Sequence, residues 1–299
     1  MRIATWNVNS LRARAEAVAI WLDRAAPDVV LLQETKLADA DVPEMLFAER
    51  GYALLHHGEG RWNGVAIASR VGIADPVLNF GDGPVRDSRA GADHATDADA
   101  FDPLREARFV AATCAGVRVA SLYVPNGREV DSAWYAGKLA WLARLERWLA
   151  ATCTPEDALV LGGDWNVAPA DADVWDPAAL AGSTHVTPEE RDALGRLRTW
   201  GLTDLWRAAH PEPGRFSWWD YRAGAFPRNQ GMRIDLLYGT APVAARVAWT
   251  EIDRTARKGP PTPSDHAPVI VDLDAPGVPI DAGWAGAAER AARRAAGPG

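Results

Sequence analysis

Five places in the chain set hard oxygen donors and amides where an apolar run stops: Asn7-Val8-Asn9, Gln33-Glu34-Thr35-Lys36, Asp164-Trp165-Asn166, Arg233-Ile234-Asp235 and Ser264-Asp265-His266. Residues two apart in extended chain face the same side, so Asp164 and Asn166 can grip one water between them. Several carboxylates meeting on one patch repel each other unless a cation neutralises them. Glu, Asp and Asn are hard donors suited to Mg²⁺ or Mn²⁺, and the lack of clustered Cys and His disfavours zinc. A single such strand end would be an ordinary Asp/Asn turn; recurrence is what points to chemistry.

The elements needed to bring these ends together can be read from hydrophobic pattern. Residues 2–6 read as a strand, 14–24 as an amphipathic helix and 28–33 as a buried strand. Further strands are expected at 52–56, 64–69, 107–113 and 117–123. A helix is expected over 132–151, with Leu139, Leu142, Leu145 and Leu149 at helical spacing. It leads into the continuous apolar run Ala158-Leu159-Val160-Leu161, expected to end in a Gly162-Gly163 turn. Thr187-Pro188-Glu189-Glu190 predicts a helix to about 199, with Thr187 as N-cap, Pro at the first position and Glu190 closing a capping box. Strands are then expected at 233–238, 243–251 and 266–273. The segment 79–104 reads as an acidic surface loop, and the Ala, Arg and Gly-rich end of the chain as a frayed helix or disorder. No repeat is visible at the level of exact motifs.

At 299 residues, 48% hydrophobic and 24% charged, the composition suits one large single-core domain. We expect that domain over residues 1–275, followed by a tail over 276–299. No run approaches the roughly 20 apolar residues that span a bilayer, and the first residues lack the character of a signal peptide. A cytoplasmic, nucleoid-associated protein is therefore expected, with no membrane partner and a monomer as the default. Cys114 and Cys153 have no metal-ligand spacing and read as reduced thiols. The net charge of −8 argues weakly against nucleic acid, but acidic residues crowd the segment from Asp82 to Asp102 and hide the local distribution.

Six motifs, in order, resemble the exonuclease III family of apurinic/apyrimidinic endonucleases: Trp6-Asn7-Val8-Asn9-Ser10-Leu11-Arg12, Leu32-Gln33-Glu34-Thr35-Lys36, Tyr123-Val124-Pro125-Asn126-Gly127, Gly163-Asp164-Trp165-Asn166, Arg233-Ile234-Asp235 and Ser264-Asp265-His266-Ala267-Pro268. The resemblance implies an α/β fold, a four-layer α-β-β-α sandwich of two mixed sheets flanked by helices, with its site at one edge. Strand and helix alternation alone does not separate that fold from a doubly wound sheet. The resemblance makes Glu34 the principal Mg²⁺ ligand, with Asn7 and Asp265 at the same metal patch. Asp164 would activate water, Asn166 would hold that water or the phosphate, and Tyr123 and Asn126 would bind phosphate oxygens. Asp235 and His266 would pair to fix a protonated, phosphate-binding imidazole.

The implied substrate is double-stranded DNA with abasic sites or blocked 3′ ends, cleaved 5′ to the abasic site to leave a 3′-hydroxyl. Accompanying 3′-5′ exonuclease and 3′-phosphatase activities are implied from the same site. Trp218, Met232 and Ile234 match segments that flank an extruded abasic sugar, and Arg12, Lys36, Arg128 and Arg228 are candidates for backbone contact. Asn9 stands where some relatives have Asp, which weakens the case for a second tightly bound metal. The acidic 82–102 segment is expected to point away from DNA. Two alternatives compete: another metal-dependent phosphodiesterase or phosphatase of the same superfamily, and a catalytically inactive DNA-binding scaffold.

Overall fold

The computed structural model describes residues 1–81 and 102–285. Most of the expected acidic loop, and the tail beyond residue 285, lie outside the described residues. Among the described residues, twelve strands form two six-stranded sheets. The first has the order β11 (Val247–Ile252), β12 (Val269–Leu273), β1 (Arg2–Asn7), β2 (Val29–Gln33), β4 (Val65–Ser69), β3 (Ala53–His57). The second has the order β5 (Ala74–Leu78), β6 (Phe109–Cys114), β7 (Val117–Tyr123), β8 (Leu159–Asp164), β10 (Asp235–Gly239), β9 (Thr203–Asp204).

Alternate residues of the central strands face opposite layers, which explains their unbroken apolar character. Ile3, Leu31, Ile67, Val119, Val160 and Leu237 fill the space between the sheets. On the outer face of the first sheet, Ala4, Val30, Leu32 and Ile270 pack against Val18, Trp21 and Leu22 of the Ala15–Ala25 helix. On the outer face of the second, Ala120, Leu122, Leu159 and Leu161 pack against Trp141, Leu142 and Leu145 of the Ala133–Thr152 helix and Leu194 and Leu197 of the Pro188–Trp200 helix. The four-layer α-β-β-α sandwich is thereby the observed architecture.

Both sheets follow one plan. β1 and β2 are parallel and joined through a helix, as are β7 and β8; antiparallel strands flank each pair. The orders β11-β12-β1-β2-β4-β3 and β5-β6-β7-β8-β10-β9 have the same connectivity once the chain is read as continuing from β12 into β1. This duplication left no trace in exact motifs because the two copies share only topology and core pattern. Its consequence is positional: the carboxyl ends of β1, β2, β7 and β8 meet at one edge of the sandwich.

Two expectations are corrected. Gly162 and Gly163 do not make a turn; both lie within β8. A Cβ on Gly162 would stand 2.6 Å from Leu31 Cδ1 of the facing sheet, and one on Gly163 would stand 1.9 Å from the Leu122 carbonyl oxygen, so the strand needs glycine for close approach. The strand expected from 243 begins at Val247, because residues Ala241–Ala244 form a short helix with Pro242 in its first turn. The edge strands β5 and β9 were not anticipated; β9 has two residues and β5 is largely exposed, so neither carries a hydrophobic alternation. The Thr187 capping box is present, with Glu190 Oε2 accepting from the Thr187 amide at 3.0 Å. Cys114 and Cys153 are free. Past β12, Gly277 donates to Asp272 (2.7 Å) and Trp284 donates its indole N–H to the Ile252 carbonyl (2.8 Å), so the chain stays tied to the sandwich through residue 284.

Candidate active site

Asn7 ends β1, Glu34 follows β2, Tyr123 ends β7 and Asp164 ends β8. Asp235 opens the antiparallel β10 directly opposite Asp164, and His266 lies in the turn before β12. All six therefore arrive at the same edge for reasons of strand direction alone. In the segments that carry them Glu34, Lys36, Asn9 and Asn166 adopt positive φ values of 51°, 53°, 43° and 50°. Non-glycine residues occupy that region only when surrounding structure enforces it.

Asn7 is the hub. It is fully buried, and its Nδ2 donates to Glu34 Oε1 at 2.8 Å and to Asp164 Oδ2 at 2.9 Å, bridging the two sheets. Ser264 Oγ donates to the Asn7 carbonyl at 2.7 Å and so fixes the turn that carries His266. Behind the site, Ser217 Oγ accepts from the Asp235 amide at 2.9 Å. Glu34, Asp164 and His266 each present a potential ligand atom, all within 4.8 Å of one another.

Burial raises the cost of every negative charge here, and the neighbours decide which stay ionised. Burial, with Asp235 and Glu34 nearby, pushes the Asp164 carboxyl up to about 7 against the pull of His266. Glu34 is held below its ordinary range: burial opposes this, but Lys36, Asn7 and His266 together prevail. The Lys36 ammonium stands 2.8 Å from Glu34 Oε2. His266 is also buried, which disfavours its charged form, yet Asp235, Asp164 and Asp265 push it up to about 10. Its Nδ1 is 2.9 Å from Asp235 Oδ2, leaving Nε2 facing Asp164 Oδ2 at 3.9 Å. Burial and the nearby Glu34 carboxylate keep the Tyr123 phenol well above its ordinary value, so it remains a proton donor.

The expected residues differ in how close they stand to this edge. Asn7, Glu34, Tyr123, Asp164, Asn166, Asp235 and His266 are together at the edge. Asn126 is exposed beside them, its Nδ2 donating to Asn166 Oδ1 at 3.2 Å. Asp265 sits one step out, with its oxygens accepting from Asn9 Nδ2 (2.9 Å) and Trp218 Nε1 (3.1 Å). Trp218 pairs with Met232 through a β-bridge and with His266 through another, and Met232, Ile234, Val174 and Trp218 form one apolar cluster beside the imidazole. Arg12, Arg128 and Arg228 are exposed, and Arg128 lies 3.6 Å over the Trp134 ring.

Sequence reasoning did not single out Lys138, Glu190 or His185 as site residues. Lys138 and Glu190 form a fully buried ion pair just behind Asn126 and Asn166. The signal was present: Lys138 lies in the helical stripe of Tyr135, Trp141, Leu142 and Leu145, where a lysine is out of place.

Two β-sheets whose meeting edge gathers carboxylates, amides and one histidine paired with a carboxylate make a site suited to metal-dependent hydrolysis of phosphate esters. The chain belongs to the Endonuclease/Exonuclease/phosphatase family, whose pattern matches residues 4–266. It is 29% identical to exodeoxyribonuclease III of Haemophilus influenzae, over 91% of this chain and 100% of that protein. Among solved structures it resembles an AP endonuclease from Archaeoglobus fulgidus with TM-score 0.82 and 34% identity, covering 92% of this chain and 99% of that one. It also resembles a 3′ phosphatase from Neisseria bound to a product DNA hairpin, with TM-score 0.80, 35% identity and coverage of 92% and 99%. Among the described residues no helix is long and apolar enough to cross a membrane.

Proposed function

We propose that the protein is a Mg²⁺-dependent DNA-repair phosphodiesterase that incises duplex DNA 5′ to an abasic site, leaves a 3′-hydroxyl and also trims blocked 3′ ends. The observation that carries this reading is the placement of Asp164: a buried carboxyl clamped by Asn7 at 2.9 Å and facing, at 3.9 Å, the imidazole that Asp235 holds. A general base works best when its pKa lies near the working pH. Asp164 takes a proton from water, and Asn166, whose backbone N–H donates to Asp164 Oδ1 at 2.9 Å, holds the water in line. Protonated His266, kept in place by Asp235, stabilises charge on a nonbridging oxygen, and Tyr123 and Asn126 donate to the remaining oxygens.

The donor set fits a hard divalent ion. Glu34 is an oxygen donor held below its ordinary range, with Asn7 against it, while His266 has its Nδ1 on Asp235 and Asp265 stands one step out on Asn9 and Trp218. Bound there, Mg²⁺, or Mn²⁺ in its place, would supply Lewis-acid charge at the scissile phosphate.

Half-buried Trp218, backed by buried Met232 and Ile234, supplies an apolar surface beside His266 suited to a deoxyribose without its base. A flipped nucleotide that retains its base is excluded by size, and extrusion costs least where pairing is already lost. Exposed Arg12, Arg128 and Arg228, with Lys36, contact the duplex backbone. The protein acts as a monomer in the cytoplasm on nucleoid DNA.

A second reading, in which removal of 3′-terminal groups is the main activity, is favoured by the likeness to the Neisseria 3′ phosphatase, whose 35% identity matches that of the AP endonuclease neighbour within one per cent. One assay separates the two. Purified protein is given a duplex with an internal tetrahydrofuran abasic analogue, a recessed 3′ end and a 3′-phosphorylated nick, each with Mg²⁺ or EDTA. The first reading predicts that the internal nick forms fastest and that EDTA stops all three reactions. Rapid 3′ processing without an internal nick would replace it with the second, and undiminished activity in EDTA would contradict both.

A further inference from the structure

We propose that Lys138, Glu190 and His185 form a positioning clamp that sets Asn126 and Asn166 in register for one phosphate; the proposal rests on the phosphate-holding role given to those two amides above. Asn126 and Asn166 follow different strands, β7 and β8, and meet through their own side chains, Asn126 Nδ2 donating to Asn166 Oδ1 at 3.2 Å and Asn166 Nδ2 to the Val124 carbonyl at 2.9 Å. The Lys138 ammonium ties the two backbones together from behind: Nζ donates to the Asn166 carbonyl at 2.6 Å and to the Asn126 carbonyl at 3.2 Å, and to Glu190. Lys138 and Glu190 are both 0% exposed at the side chain.

Glu190 has further partners that all belong to the same corner. Its Oε1 accepts from Thr184 Oγ1 and from the His185 amide, each at 3.0 Å, and its Oε2 accepts from Thr187 Oγ1 at 2.8 Å. The Asn126 carbonyl, 3.1 Å from Thr184 Oγ1, is the alternative acceptor for that single hydroxyl proton. His185 closes the ring: Nδ1 lies against the Asn166 carbonyl, and Nε2 is 3.5 Å from Asn126 Nδ2. Because a carbonyl can only accept, Nδ1 carries the proton and Nε2 is the acceptor facing the Asn126 amide. Burial and the neighbouring Lys138 keep the imidazole neutral, down to about 4, which preserves that arrangement. His185 and Asn166 both sit at positive φ, 82° and 50°, conformations that need enforcement.

A buried ion pair is an inefficient way to gain stability, since apolar residues of similar volume often do as well or better. What apolar residues lack is a donor for two backbone carbonyls. The test uses that difference. The double variant Lys138→Met with Glu190→Leu removes both charges at once, and its melting temperature is measured with its kinetics on the tetrahydrofuran duplex in Mg²⁺. The clamp predicts a folded protein whose kcat falls on the order of 100-fold, the scale of a misplacement of about 1 Å, while KM changes little. Adding Asn166→Ala should cost almost nothing more. A folded double variant with unchanged kcat would overturn the proposal.

Should the apolar pair fail to fold, His185→Ala, which leaves the ion pair intact, decides: kcat must fall, and the loss must not add to that of Asn126→Ala. A wild-type kcat, or full additivity, overturns the clamp. The side-chain amide NMR signals of Asn126 and Asn166 give a readout independent of catalysis. They must shift or broaden in the variants even if the wild-type protein cleaves some other phosphodiester; unchanged signals would refute the clamp whatever the substrate.

Discussion

Asp164, Asp235 and Glu34 crowd one buried corner, and the protein tolerates them because each is answered by a specific partner. Asp235 is spent on His266, Glu34 on Lys36 and Asn7, and Asp164 is left closest to neutrality. That division of labour makes different variants fail differently. In Asp235→Asn the imidazole loses its main anion and with it the charged form, so kcat should fall by about 100-fold or more, corresponding to about 2.7 kcal/mol of lost electrostatic stabilisation. Single-turnover kinetics on the tetrahydrofuran duplex check this; a variant within threefold of wild type would remove His266 from charge stabilisation. The principal site residues were legible in the sequence because strand ends advertise polar residues after apolar runs. Lys138, Glu190 and His185 were not, since their role depends on two segments meeting in space and leaves only one misplaced lysine in a helical stripe.

At the scale of elements, two features of the sheet hold the site and can be tested by stability. Gly163 lies against the backbone of β7, and the Leu122 carbonyl cannot rotate away from an added methyl group. Gly163→Ala should therefore destabilise by more than about 2 kcal/mol in urea unfolding, the range of a clash that backbone must absorb; an unchanged midpoint would mean that β7 and β8 can separate at little cost. The segment entering β10 is anchored by Arg233, fully buried, whose guanidinium pairs with Asp173 and Asp204, each at 2.7 Å. Burial works against ionising Asp173, but Arg233 and Arg207 hold its carboxyl below the ordinary range. A carboxyl with a depressed folded pKa stabilises above its unfolded value, about 3.9, and that contribution is lost as pH falls through the lower folded value. Asp173→Asn should cost about 3 kcal/mol at pH 7, as expected for breaking a buried pair, and the penalty should shrink toward pH 3. A pH-independent difference in urea midpoint would contradict the ionic origin. Periodicity located the long helices and central strands, whereas β5, β9 and the Ala241–Ala244 helix escaped it: they are too short or too exposed for a pattern to form.

Across the whole molecule, a topologically repeated pair of sheets delivers four parallel strand ends to one edge, so a single arrangement of strands builds the site from both halves. The duplication was invisible in sequence because the copies share connectivity and core alternation, which many different residues satisfy. The same scale governs encounter with DNA. A net charge of −8 repels a polyanion, so binding must rely on a few exposed cations near the site. Arg12→Ala and Arg128→Ala should each reduce the slope of log affinity against log salt by about 0.9, the value expected for one phosphate contact in duplex DNA. Fluorescence anisotropy with a tetrahydrofuran duplex in EDTA measures it, and an unaltered slope would place those arginines off the interface.

The central claim is that Asp164 activates water for phosphodiester cleavage, and the most direct measurement is single-turnover incision of the tetrahydrofuran duplex by wild type and Asp164→Asn in Mg²⁺. The substitution keeps the side chain's size and removes its basicity. The account predicts a melting temperature near that of wild type, retained duplex binding and an incision rate lowered by about 1,000-fold or more, within the range seen when a positioned base and its charge are lost together. A folded, DNA-binding Asp164→Asn protein that incises at the wild-type rate would contradict it.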